Sequence, residues 1–104
     1  MVSTRIVKEV GYADYYEFIE NCVITINRHA YFRFNDVQRK VYKYEYLKSI
    51  LKEEHPVFVG LQQNGRYAVF FRRKEGYLRI MFNKHPKCIE IITFYITDNL
   101  PRIK

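Results

Sequence analysis

His29 and Arg33 stand four residues apart, the spacing that stacks two side chains on one side of a helix. Far along the chain, Arg79, Thr93 and Tyr95 fall in runs that read as strands, in which successive residues point to opposite faces. On that alternation Tyr77, Arg79 and Met81 share one face, opposite Leu78, Ile80 and Phe82. In the following strand Ile91, Thr93 and Tyr95 lie together, opposite Glu90, Ile92, Phe94 and Ile96. Pairing the polar faces brings Arg79, Thr93 and Tyr95 onto a common surface. Such a set suits cleavage of RNA without a metal ion or other cofactor. That reaction needs a base for the ribose 2′-hydroxyl proton, an acid for the leaving oxygen, and cations or donors around the phosphate. A histidine such as His29 could act as base or acid. Arg33 and Arg79 could hold phosphate oxygens through forked hydrogen bonds. Tyr95 could donate a proton or stack on a base, and Thr93 could position the phosphate.

Each residue also has a plainer reading. A lone helix histidine is more often a surface or capping residue than a catalyst. Arg33 could pair with Asp36, an exposed contact worth under about 1 kcal/mol. Thr93 suits a strand by propensity, and Tyr95 could cover an exposed sheet face. Arg72, Arg73 and Lys74 read as a solvated hairpin end that could also touch a phosphate backbone. His55 and His85 precede prolines and read as incidental.

These side chains need elements to hold them. Ile26, Ala30, Phe34, Val37 and Val41 recur every three or four residues, so a first amphipathic helix is expected, with Asn27 as its N-cap. Asp36 could mark a break in it. A second helix is expected over about 43–54, with Tyr44, Leu47, Ile50 and Leu51 inward and Pro56 stopping it. Four strands follow, over 57–62, 66–74, 77–82 and 88–97. Asn64-Gly65 is the strongest hairpin signal in the chain, Glu75-Gly76 supplies the next turn, and Asn83 to Pro86 closes the third strand. In the 66–74 strand, Arg66, Ala68, Phe70 and Arg72 alternate with Tyr67, Val69, Phe71 and Arg73, and the pattern leaves the inward set open. The expected fold is α+β: two helices packed on a four-stranded antiparallel sheet. Residues 1–24 form an N-terminal extension whose structure the pattern does not fix. Residues 4–10 could be a strand or arm, 14–19 a helical turn or two, and 21–26 extended. Residues 98–104 read as a polar, fraying tail.

The chain has 104 residues, 48% of them apolar, enough for one domain with one core. Its net charge of +7 is uneven. Residues 1–65 hold nine Lys/Arg against eight Asp/Glu, while residues 66–104 hold nine against three. The basic excess therefore belongs to the strand-rich half, which favours an anionic partner. Cys22 and Cys88 match no metal-ligand or redox spacing. No signal peptide or membrane-length apolar run is present, so the expectation is a cytoplasmic protein with reduced thiols.

The segment INRHAYFRF (Ile26 to Phe34) resembles the Ser/Thr-x-His-Ala-x-x-Arg helix that opens a set of small prokaryotic proteins. NGRYAVFFR, GYLRIMF and IEIITFYIT follow in the same order. The layout is similar to RelE-like toxins and the wider barnase, EndoU, colicin and RelE ribonuclease group, over roughly Thr25 to Thr97. The aromatic VYKYEYL (Val41 to Leu47) stands where that family carries a basic linker. The resemblance implies a RelE-like domain over 25–97 with its active site on the sheet. It implicates His29, Arg33, Arg66, Tyr67, Arg79, Thr93 and Tyr95, and it implies RNA as substrate and a protein antitoxin as partner. It leaves room for a homo-oligomer. Two rivals from the residues themselves are a non-catalytic nucleic-acid-binding module and a domain docking an acidic protein, each using the basic sheet face.

Overall fold

A computed structural model of the protein describes residues 5–27 and 43–101. In chain order the elements are β1 (Ile6–Glu9), α1 (Tyr12–Asn21), β2 (Val23–Ile26), α2 (Tyr44–Glu53), β3 (Phe58–Gln62), β4 (Tyr67–Arg73), β5 (Gly76–His85) and β6 (Cys88–Thr97). Local signals account for the antiparallel run from β3 to β6. At the β3–β4 turn the Asn64 side-chain oxygen accepts the Arg66 N–H at 3.0 Å, and Gly65 takes a φ of +86°. At the next turn Gly76 has a φ of +141°, and a Cβ there would sit 2.5 Å from the Thr97 carbonyl oxygen. Only glycine fits both demands. In α2, Leu47, Ile50 and Leu51 share one stripe and are buried, as the spacing predicts. The helix ends with Glu54 donating its N–H to the Ile50 carbonyl at 3.1 Å, two residues before Pro56.

The α+β class holds, but the sheet is larger and mixed. It has six strands in the order β1-β3-β4-β5-β6-β2. β1 joins antiparallel to β3 at one edge; β2 joins parallel to β6 at the other. Both added strands fall where the sequence left a strand (4–10) or an extended run (21–26) open, and their partners lie far away in sequence. The expectation of four antiparallel strands is corrected accordingly. So is the start of the first helix: Ile26 ends β2, and the Asn27 N–H bonds the Ile91 carbonyl at 2.9 Å instead of opening a helix. The rest of that expected helix, with His29 and Arg33, lies outside the described residues. Among the described residues α2 meets α1, a ten-residue element where the sequence suggested a turn or two.

One face of the sheet packs on α1 and α2. Val69, Phe71, Leu78, Ile80, Phe82 and Phe94 bury there against Tyr15, Ile19 and the α2 stripe. The other face, called the open face here, carries a smaller apolar cluster of Ile6, Ala68, Phe70 and Met81. β4 is therefore buried on both sides, which is why its alternation was ambiguous. Leu100, in the segment read as a tail, packs beside that cluster, while Asp98 and Asn99 are exposed. A register shift gives β6 one extra residue: Met81 pairs with Thr93 and Phe82 with Ile91. The unpaired Ile92 is a bulge. It turns Ile91 to the helix side while Thr93 and Tyr95 stay on the open face, correcting the expectation that all three lie together.

Tyr15 ties the helices to each other. Its ring is fully buried, and its hydroxyl donates to the Leu51 carbonyl at 2.7 Å. Burial, reinforced by Tyr16, pushes the hydroxyl's pKa far above the ordinary tyrosine value, so it stays a neutral donor. Tyr15→Phe should cost about 1–2 kcal/mol of unfolding free energy, and Tyr15→Ala about 3–5 kcal/mol, in urea titrations. An unchanged midpoint for Tyr15→Phe would mean that Leu51's carbonyl finds another donor.

Candidate functional site

Arg79 sits mid-strand on β5, on the open face, with Phe70 and Tyr95 as its Cα partners on either side. Its guanidinium carbon lies 5.1 Å from the centre of the Phe70 ring and 5.8 Å from that of Tyr95. Nη2 donates to Gln62 Oε1 at 2.7 Å. Gln62 is itself only 1% exposed. Partial burial pulls the guanidinium's pKa below the usual arginine value, and the Tyr95 hydroxyl opposes that shift. An arginine so placed remains a cation at neutral pH. The result is a charged fork lying on aromatic rings, with less hydration to shed than an exposed lysine.

Neighbouring rows extend this surface. Thr93 pairs with Met81, one row from Arg79. One row the other way, Arg72 pairs with Tyr77, and its guanidinium lies 5.4 Å from that ring's centre. Arg72, Arg79, Thr93 and Tyr95 thus share one face.

No protein-family model, curated protein or solved structure matches the chain.

The other candidates are placed elsewhere. Tyr67 faces the helices, stacked on Phe82 at 5.5 Å between centroids and edge-on to Phe18 at 5.3 Å. Arg73 is also on that side, where its two terminal nitrogens donate to both Glu54 carboxylate oxygens at 2.9 and 3.0 Å. Arg66 enters β4 from the turn, and Lys74 is exposed in the next turn. His29 and Arg33 lie outside the described residues. The sequence reading missed Gln62 and Phe70 as parts of the Arg79 environment. A usable signal existed: Phe58, Gly60 and Gln62 alternate onto one face, and a glutamine ending such a run asks for a partner.

A second polar group occupies the β2 edge. Asn27 Nδ2 donates to Glu90 Oε2 at 3.0 Å, and His85 Nε2 lies 3.4 Å from Oε1. The Asn27 bond, helped by His85 and Asn83 against a smaller opposing effect of burial, lowers the Glu90 pKa. His55 also has partners: its Nδ1 hydrogen-bonds the Tyr16 hydroxyl, and the Tyr12 ring lies 4.9 Å away. Both histidines thus have side-chain partners. No described helix is long and apolar enough to cross a membrane.

Because Glu90 has a lower pKa folded than unfolded, its contribution is complete above the unfolded value of about 4.3. It is lost as pH falls through the folded value. Glu90→Gln should therefore melt below wild type at pH 7, with the gap closing as the pH is taken beneath the carboxylate range. A gap independent of pH would remove the charge from the explanation.

Proposed function

We propose that the open face binds RNA at Arg79 and that the protein is a metal-independent endoribonuclease of toxin type. The observation that carries this reading is the Arg79 guanidinium, held by Gln62 and backed by the Phe70 and Tyr95 rings, on a face shared with Thr93. A fork fixed in this way suits two oxygens of one phosphodiester, and it needs little reorganisation as charge builds on them. Tyr95, more than a third exposed, suits a base or the leaving oxygen.

In the proposed reaction the ribose 2′-oxygen attacks phosphorus and the bond to the 5′-oxygen breaks. The attacking hydroxyl gives up its proton, and the leaving oxygen receives one. The products are a 2′,3′-cyclic phosphate and a free 5′-hydroxyl. The RelE resemblance implicates His29 and Arg33, whose side-chain chemistry suits proton transfer and phosphate binding. The α+β class is the part of that layout the chain shares; α1 lies in the segment that the resemblance does not cover, and the sheet has two strands more. A cytoplasmic location and a protein antitoxin belong to the same proposal.

A second reading has its own support. The Arg72–Tyr77 pair repeats the arginine-on-ring arrangement one row away, as expected of a surface that binds nucleic acid along its length. On that reading the protein binds and does not cut.

Incubation with total RNA in EDTA separates the two. Wild type should leave cyclic-phosphate ends, His29→Ala should leave none, and Arg79→Lys should lose roughly a hundredfold in rate or more. Binding without cleavage by wild type would select the second reading, and neither activity would reject both. Within either, Arg72→Ala should reduce the slope of log affinity against log salt by about one. Arg73→Ala should leave that slope unchanged and lower the melting temperature, because its guanidinium is engaged by Glu54 on the helix side of the sheet.

A further inference from the structure

Arg79 is tied to the β3–β4 turn by a chain of hydrogen bonds whose direction is fixed at both ends. A guanidinium only donates, so Gln62 must present Oε1 to it, and the bond is 2.7 Å. That leaves Gln62 Nε2 pointing at Asn64 Oδ1, 3.1 Å away. The same Asn64 oxygen accepts the Arg66 backbone N–H at 3.0 Å. A backbone N–H likewise only donates, so neither amide can flip without setting donor against donor. Asn64 bears a cost for this orientation. Its Nδ2 is buried and has no hydrogen-bond partner among the described residues, and a buried donor left so weighs against the fold. In the register Ala68 lies on β4 between Arg79 and Gln62, and a small side chain there leaves room for the two to meet, while Ile6 and Phe58 fill the space over Gly60.

We propose that Gln62 and Asn64 are positioning residues that lock the Arg79 guanidinium for phosphate, so that the β3–β4 turn sets the geometry of the site. The assignment of phosphate as ligand rests on the RNA reading above; the lock itself does not. The two parts are tested separately. Side-chain ¹⁵N spectra of Arg79 report the lock, and RNA cleavage or binding reports its use.

In wild type the Arg79 Nη groups should appear as separate, slowly rotating signals. In Gln62→Leu and Asn64→Ala they should merge. Asn64→Asp keeps an acceptor for both donors, removes the stranded NH₂ and retains a turn-forming residue before Gly65, so it should restore the separate signals. RNA activity should fall roughly a hundredfold in the first two variants, as expected for a displaced reacting group, and recover in the third. Should Gln62→Leu fail to fold, the Asn64 pair decides alone. Merged signals in wild type, or separate ones in Asn64→Ala, would overturn the lock. A lock that behaves as described in a protein indifferent to RNA would overturn the phosphate role and the RNA reading with it. Loss of RNA activity in Arg79→Lys but not in Asn64→Ala would keep the RNA reading and remove the relay from it.

Discussion

Between Glu9 and Val23 the chain must cross from one edge of the sheet to the other, and the rest of the architecture depends on how it does so. Five strand spacings separate β1 from β2 in the sheet, about 24 Å. The ten residues of α1 cover about 15 Å of that as helix. The crossing lays Tyr15 and Ile19 over the apolar centre of β4 and β5, and it gives α2 a neighbour. It also places both described helices on one face of the sheet. Arg79 lies on the other. The cluster of Ile6, Ala68, Phe70 and Met81 beneath it keeps the floor of the site apolar.

Much of this could be read from the residues. The Asn64-Gly65 and Glu75-Gly76 turns placed β3, β4 and β5, because each is a local signal that specifies its own hairpin. Alternation placed Arg79 and Tyr95 on one face, and the cross-strand pairing confirms it. The spacing of Leu47, Ile50 and Leu51 described α2 well. What escaped was non-local. β1 and β2 are strands only because distant partners receive them, and VITI alone carries no statement of which edge it joins. The bulge at Ile92 is similarly silent in sequence, yet it decides that Ile91 and Thr93 face opposite ways. Tyr67 and Arg73 were separated from Arg79 by the resolution of β4, whose two apolar sets were indistinguishable until the helices chose one.

The candidate site was legible as a list of charged and aromatic residues, and less so as an arrangement. Arg79, Thr93 and Tyr95 could be named from alternation. Gln62 could not be joined to them without knowing that β3 and β5 flank β4, which brings residues 17 positions apart within one hydrogen bond. Asn64 illustrates the same difficulty. Its role in the turn is evident from the residue that follows it, while its second hydrogen bond is visible only in three dimensions.

The parallel pairing of β2 with β6 carries a consequence for biosynthesis. Val23 lies opposite Cys88, 65 positions later. At about 5–20 residues per second, a ribosome needs roughly 3–13 s to make the intervening chain. For that interval Val23–Ile26 is an uncharged, β-branched segment without its sheet partner. Even in the finished fold Val23 is 65% exposed. At the opposite edge, β1 carries Lys8, Glu9 and an irregular register, features that discourage unwanted pairing. The nascent chain thus emerges with its guarded strand first and its unguarded one second. In the finished fold the Tyr44 hydroxyl donates to the Ile24 carbonyl on that edge, a partner made about twenty residues after β2 and well before β6.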